Sequence, residues 1–265
     1  MQRFLNVLMI GCLFARSAAC LAEGEKADPR AIVQKAIEAM GGESKLAAAK
    51  ASVAKGTCKF YGNGKAIECT GEWSEQLPGQ LKAAYVMNVR GKKLTRMEVI
   101  TKDAGWTVMG GSTRAVSAEQ LADIHEGMEA FYASTLLLPL KEPEYRLSSI
   151  GDSKIEGRPA VGVKVARQGH REVVLYFDKD RGYLLKLQIR VKGIDGREVD
   201  EETLYSDYRD FDGTRSYSKT ITKREGKMFL ECDITEFKAY EKLPPGTFDK
   251  PESGEFKRAR VAPAQ

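Results

Sequence analysis

The chain has 265 residues, 42% hydrophobic and 30% charged, which leaves room for one large β domain or two ordinary ones. Its net charge of +5 is dispersed, and no basic cluster is interleaved with aromatics, which argues against nucleic-acid binding. His125 and His170 are the only histidines, so little material exists for zinc sites or for histidine acid–base chemistry.

The first 22 residues, MQRFLNVLMIGCLFARSAACLA, have the build of a secretory signal. Arg3 precedes an apolar run from Leu5 to Phe14, and small residues lead to a cut near Ala22. The run is shorter than the ~20 residues a membrane span needs, and the later apolar stretch LLLPL is broken by Pro139. The expectation is an exported protein of the periplasm or cell envelope, processed to begin at residue 23. Ser17-Ala18-Ala19-Cys20 departs from a lipoprotein box, because Ser17 stands where a branched apolar residue is usual; whether Cys20 is lipidated stays open.

A helix follows. Asp28 is a capping residue before Pro29; Ile32, Val33, Ala36, Ile37 and Met40 recur on one face, and Gly41-Gly42 ends it. A short second helix, ESKLAAAKA, comes next. The period then changes to two: in KAIECTGEWS, Ile67, Cys69, Gly71 and Trp73 share a face. Runs of this kind recur over 51–61, 65–76, 79–89, 93–101, 104–109, 144–150, 158–167, 171–178, 183–192, 199–211, 216–224 and 228–239. Turn signals such as Asn63-Gly64, Pro78-Gly79 and Asp195-Gly196 separate them, the pattern of an antiparallel barrel or strongly curved sheet.

The alternation stops between 112 and 140. Ser117 and Gln120 form a capping box, and Leu121, Ile124, Met128, Phe131 and Tyr132 fall at helical spacing before Leu136, Leu137 and Leu138. The sequence contains no repeat or linker that marks a second domain. It therefore predicts one domain over 23–252 and a flexible tail over 253–265.

FDKDRG, residues 177–182, raises the question of a metal loop. A calcium loop of the EF-hand type needs further oxygen ligands and a Glu at its twelfth position. Counting from Asp178, the twelfth residue is Ile189, and both flanks read as strands. The segment is a hairpin turn, with Asp capping and Gly182 at positive φ. Metal and cofactor sites are not expected.

If Asn63-Gly64 is a two-residue hairpin turn, Cys58 lies directly across from Cys69, flanked by Phe60–Ile67 and Gly56–Gly71. An exported chain meets oxidising conditions, so the two can form a disulfide. Against it, the pair falls at a hydrogen-bonded position, with Cα atoms ~5.5 Å apart. The other reading is two reduced, small core residues. Cys232 alternates with Leu230 and Ile234 and reads as core.

No catalytic set emerges. His125 lies among Asp123, Glu126 and Glu129 on what reads as an exposed helix face, and His170 sits in a polar turn. Asp200, Glu201 and Glu202 point to alternate faces of a strand, which is poor geometry for paired carboxylates. The chain reads as a non-enzyme. An exported hydrolase would need a buried His125 or His170 clustered with a carboxylate.

The order of elements carries a resemblance. Met40-Gly41-Gly42 closes a helix ahead of a run of strands. The segment AEQLADIHEGMEAFYASTLLLPL then leads to GRPAVGVKV and the hairpin LYFDKDRGYLLKL. YRDFDG, ITKREGK, ITEF and Phe248-Asp249-Lys250-Pro251 follow. Residues 28 to 251 resemble the outer-membrane lipoprotein-sorting proteins of the LolA/LolB-like superfamily. The resemblance implies a mainly β, α+β fold: an antiparallel half-barrel of about 11–12 strands, covered by helices that act as a lid over an apolar interior. It implies a monomeric carrier whose partners are a lipid or an acylated protein, in peripheral contact with membrane-bound partners. The candidate lining residues are Trp73, Tyr85, Met87, Trp106 and Met109 from the sheet, with Met128, Phe131, Leu136 and Leu137 from the lid. An envelope sensor or protein-interaction module on the same fold is the other class.

Overall fold

The computed structural model describes residues 27–61, 65–193, 196–211 and 213–252. The signal segment with Cys20, the Asn63-Gly64 turn and the tail over 253–265 lie outside those residues.

Helix α1 (Pro29–Ala39) starts as the sequence dictates, with the Asp28 carboxylate accepting the backbone N–H of Arg30 and Pro29 in the first turn. Its buried stripe is Val33, Ala36 and Ile37. Gly41 and Gly42 then adopt φ of +105° and +90°, values that end a helix without strain only for glycine. Helix α2 (Glu43–Ala48) follows. Six strands come next: β1 (Ala51–Phe60), β2 (Ile67–Gln76), β3 (Gln80–Val89), β4 (Lys92–Ile100), β5 (Gly105–Met109) and β6 (Ser112–Ala115). Helix α3 (Ala118–Leu136), opened by the Ser117–Gln120 capping box, runs into a 3₁₀ turn (Leu138–Lys141). The remaining strands are β7 (Tyr145–Ile155), β8 (Arg158–Arg167), β9 (Val173–Asp178), β10 (Leu184–Lys192), β11 (Glu198–Ser206), β12 (Arg209–Phe211), β13 (Thr214–Ser216), β14 (Lys219–Arg224) and β15 (Lys227–Tyr240).

Thirteen strands form one antiparallel sheet, and β12 with β13 makes a separate ribbon. The order runs from β6 back to β1, then β15, β14 and β11, and on through β10, β9 and β8 to β7. The sheet is open, with β6 and β7 as its edges. Three departures from the sequence reading account for the strand count, one of them that Thr214–Ser216 forms its own strand ahead of Lys219–Arg224. Ser112–Ala115 adds a short edge strand, and the run over 199–211 breaks at Asp207, whose φ of 53° turns the chain out of the sheet into the ribbon.

This order makes α3 a strap. The helix leaves one sheet edge, at β6, and delivers the chain to the other, at β7. Thirteen strands laid flat would measure about 57 Å edge to edge, whereas 19 helical residues span about 28 Å. A sheet curled around the helix makes up that difference, which is the half-barrel geometry.

Side-chain alternation divides the core between two faces. On the helix side, Val163, Leu175, Phe177, Leu187 and Ile189 of β8–β10 pack against Val33, Ile37, Ala133, Leu137 and Leu140. On the outer side, Val53, Met97, Val99, Trp106 and Val108 are covered by the segment after β15, through Leu243 and Phe248.

The FDKDRG segment is a structural turn. Asp178 Oδ1 accepts the backbone N–H groups of Asp180 (2.9 Å) and Arg181 (2.8 Å), and Gly182 takes φ of +78°. A side chain at Gly182 would come within 3.0 Å of the Lys35 carbonyl, so glycine here also seats α1 on the hairpin.

Candidate functional site

A cavity of about 190 Å³ lies where the end of α3, α2 and the β12–β13 ribbon meet the helix side of β1, β2, β14 and β15. Its walls are mainly apolar: Leu46, Ala54, Trp73, Leu77, Phe131, Leu136, Ile234 and Phe237 all contribute. Trp73 is held by its neighbours. Its indole N–H donates to the Tyr85 hydroxyl at 3.0 Å, and the two rings meet edge to face at 5.9 Å. Gly71 leaves room for the indole; a Cβ there would sit 2.5 Å from the ring. Burial pushes the Tyr85 hydroxyl up to about 12, so it stays protonated.

One polar group stands out in this lining. Glu75, two residues after Trp73 and on the same face, borders the cavity with Ser52 as its hydrogen-bond donor, at 3.4 Å. Loss of hydration raises its carboxyl from 4.5 to about 7, with the Ser52 hydroxyl opposing weakly.

Beside the cavity, β2, β1 and β15 bring three cysteines into one row. Cys58 pairs in register with Cys69 on one side and Cys232 on the other. Cys58 and Cys69 are joined as a disulfide, with Cα atoms 5.0 Å apart, in the register expected from the sequence. Cys232 is a buried free thiol, pushed up to about 11 chiefly by desolvation.

The proposed lining residues are thus dispersed. Trp73, Phe131 and Leu136 border the cavity. Tyr85 braces Trp73, and Met87 packs against the cysteine row. Register places Met109 on the helix side, through Met87–Leu94 and Arg96–Met109 pairings, but it is 45% exposed. Met128 is half-buried on α3. Trp106 pairs with Val99 and belongs to the outer core, because one residue of offset from Met109 sends it through the sheet. Leu137, with φ of 60° at the helix end, is 2% exposed and sits in the closed core with Leu140.

The acidic stripe of α3 is a docking surface, not the exposed face that the sequence suggested. Asp123, Glu126 and Glu129, three apart, lie on one side of the helix. Asp123 pairs with Arg171 (2.6 Å), Glu126 with His170 (3.1 Å) and Glu129 with Arg167 (2.6 Å). Glu126 also accepts the Arg171 backbone N–H, and the Tyr145 hydroxyl donates to Glu129. The Glu129 bond holds the Arg167 guanidinium more firmly protonated. His125 is half-buried, with Nε2 3.0 Å from the Thr101 carbonyl. These groups fasten α3 to β7–β9 on one flank and to the β4–β5 turn on the other. They are separate from the cavity lining, so the His170–Glu126 pair does not assemble a reaction centre with it.

Together these features define an open, curled antiparallel sheet with helices strapped across its inner face and a small apolar cavity beneath them. Comparison with known proteins places that architecture. No family model matches the sequence, and no curated protein matches it. Solved structures share the fold. An outer membrane lipoprotein-sorting protein domain from Vibrio parahaemolyticus superposes with a TM-score of 0.54 at 11% identity, over 83% of this chain and 95% of that one. A LolA superfamily protein from Nitrosomonas europaea gives 0.51 at 12% identity, over 84% and 97%. A DUF1329 family protein from Desulfovibrio piger gives 0.56 at 13% identity, over 84% and 98%. The fold is LolA-like.

Proposed function

We propose that this chain is an exported, non-catalytic binding protein that holds a lipid or acyl chain between the sheet and its helical strap. The observation that carries the reading is the apolar cavity under α3, walled by Trp73, Phe131 and Leu136, in a fold shared with a lipoprotein-sorting domain. The signal-like first 22 residues support export, and the likeness to an outer membrane sorting domain supports the cell envelope. The cavity, at about 190 Å³, is smaller than the ~300–1,000 Å³ of ordinary small-molecule sites. It therefore holds part of a chain, and a longer one is accommodated as α3 lifts from the sheet.

Each buried methylene contributes about 0.8 kcal/mol, so affinity should climb roughly fourfold per carbon until the cavity is full. Calorimetric titration with fatty acids and monoacylglycerols of eight to sixteen carbons measures this. Phe131→Asp should weaken binding at least tenfold while the β-type circular dichroism is unchanged. A wild-type protein that ignores both chain types at every length overturns the carrier reading and leaves the protein-interaction module.

A further inference from the structure

A carboxylate is an odd wall for a lipid cavity. Glu75 is carried there by strand alternation, since Trp73 and Glu75 share a face, and Ser52 is paired with it across β1–β2. An ionised carboxylate offers about four acceptor positions, yet the Ser52 hydroxyl, at a long 3.4 Å, is the donor that the fold provides. Lys50 and Arg215 also border the cavity, but among the described residues neither is paired with Glu75. The Tyr217 hydroxyl belongs to the same wall, and burial keeps it and the nearby Tyr205 hydroxyl protonated. Cys232 contributes a protonated thiol. The cavity thus has a mainly apolar body and, among the described residues, one carboxylate, held by the Ser52 hydroxyl.

We propose that Glu75 selects among acyl ligands by their head group, favouring a neutral head that donates hydrogen bonds, a hydroxyl or amide N–H, over a free carboxylate. A donor head adds to the single Ser52 hydrogen bond of Glu75, and a hydrogen bond to an ionised acceptor is stronger than one between neutral groups. A carboxylate head brings a second negative charge into a poorly hydrated space, where like charges repel far more strongly than in water. Burial already raises the Glu75 carboxyl to about 7, so above that pH the group is charged and the discrimination is largest. This inference rests on the lipid-binding reading and gives it a substrate class.

The test uses the two tryptophans. Trp73 borders the cavity and Trp106 packs on the outer face, so a Trp106→Phe background leaves Trp73 as the reporter. Quenching by ω-bromododecanoic acid, its methyl ester and its glycerol monoester is titrated at pH 8. The glycerol ester should bind at least tenfold tighter than the acid, with the methyl ester between them. Glu75→Gln, close in shape, should narrow the gap between glycerol ester and acid to under threefold, chiefly by strengthening the acid. Equal binding of acid and glycerol ester, or a gap unchanged in Glu75→Gln, overturns the selection while leaving lipid binding intact. A methyl ester as tight as the glycerol ester overturns the need for a donor. If none of the three binds, both this inference and the lipid-binding reading fall.

Discussion

The two halves of the sheet are built from similar meanders but carry their largest buried clusters on opposite faces. In β7–β11 the helix side is sealed: Val163, Leu175 and Phe177 are at most 1% exposed beneath α1 and α3. In β1–β6 the fully covered face is the outer one, where Val99 and Val108 lie under the segment that follows β15. The inner face of that half keeps Trp73, Tyr85 and Met87 only partly covered. A sheet of this size cannot be covered on one face by a single 19-residue helix. The half with its largest cluster on the outer face is the half whose β1 and β2 wall the cavity.

Substitutions can break this contrast. The largest effect is expected in the sealed half, where Leu175→Ala should cost about 2–5 kcal/mol in urea unfolding. Trp73→Phe, which loses the hydrogen bond to Tyr85, should cost about 1 kcal/mol. Equal losses would mean that the inner wall of the open half is core like any other.

Next is Glu75, which makes the open half sensitive to pH. The native carboxyl releases its proton near 7 and the unfolded one near 4.5. Between those values the folded chain binds more protons, so stability falls as pH rises from about 4.5 to about 7 and is level above. At about 1.4 kcal/mol per pH unit, the difference is about 3 kcal/mol at most. Glu75→Gln should remove that slope and be the more stable form at pH 8, while Leu175→Ala should retain it. A wild-type curve that rises over this range would place Glu75 in water.

Of similar size to the Glu75 effect is that of the cysteine row. The bridge closes a loop with a sequence separation of 11, so Cys58→Ser with Cys69→Ser should cost about 2–3 kcal/mol. In protein freed of residues 1–22, thiol labelling after denaturation without reductant should modify Cys232 alone. Three labelled cysteines would exclude the bridge.

Much of the fold is legible because its signals are local. Asp28-Pro29 and the Ser117–Gln120 box start helices where they stand, and the strand alternation on either side of residues 62–64 matches the observed β1–β2 register, including the 58–69 pair. Glu75 was reachable by the same alternation that picks out Trp73, but a glutamate in a strand reads as solvent-facing until the cavity is seen. Other features depend on contacts distant in sequence. The partners of Asp123, Glu126 and Glu129 lie 16 to 48 residues away, beyond the helix itself, so the stripe looks like an ordinary solvated helix face. Leu243 and Phe248, beyond the last strand, carry no periodic signal that they cover an outer core. Trp106 was misplaced because a five-residue strand gives too little alternation to tell one face from the other.

The strand order also governs how the molecule can be made. β1 gains its second neighbour from β15, with Ala51 paired to Tyr240 across nearly the whole described chain. A chain that stops short of residue 227 has two incomplete meanders with bare edges at β1 and β14, and no strand between them. Contacts this distant in sequence close late and slowly. The two meanders therefore become one sheet only when β15 inserts between β1 and β14, and every earlier intermediate carries two open edges.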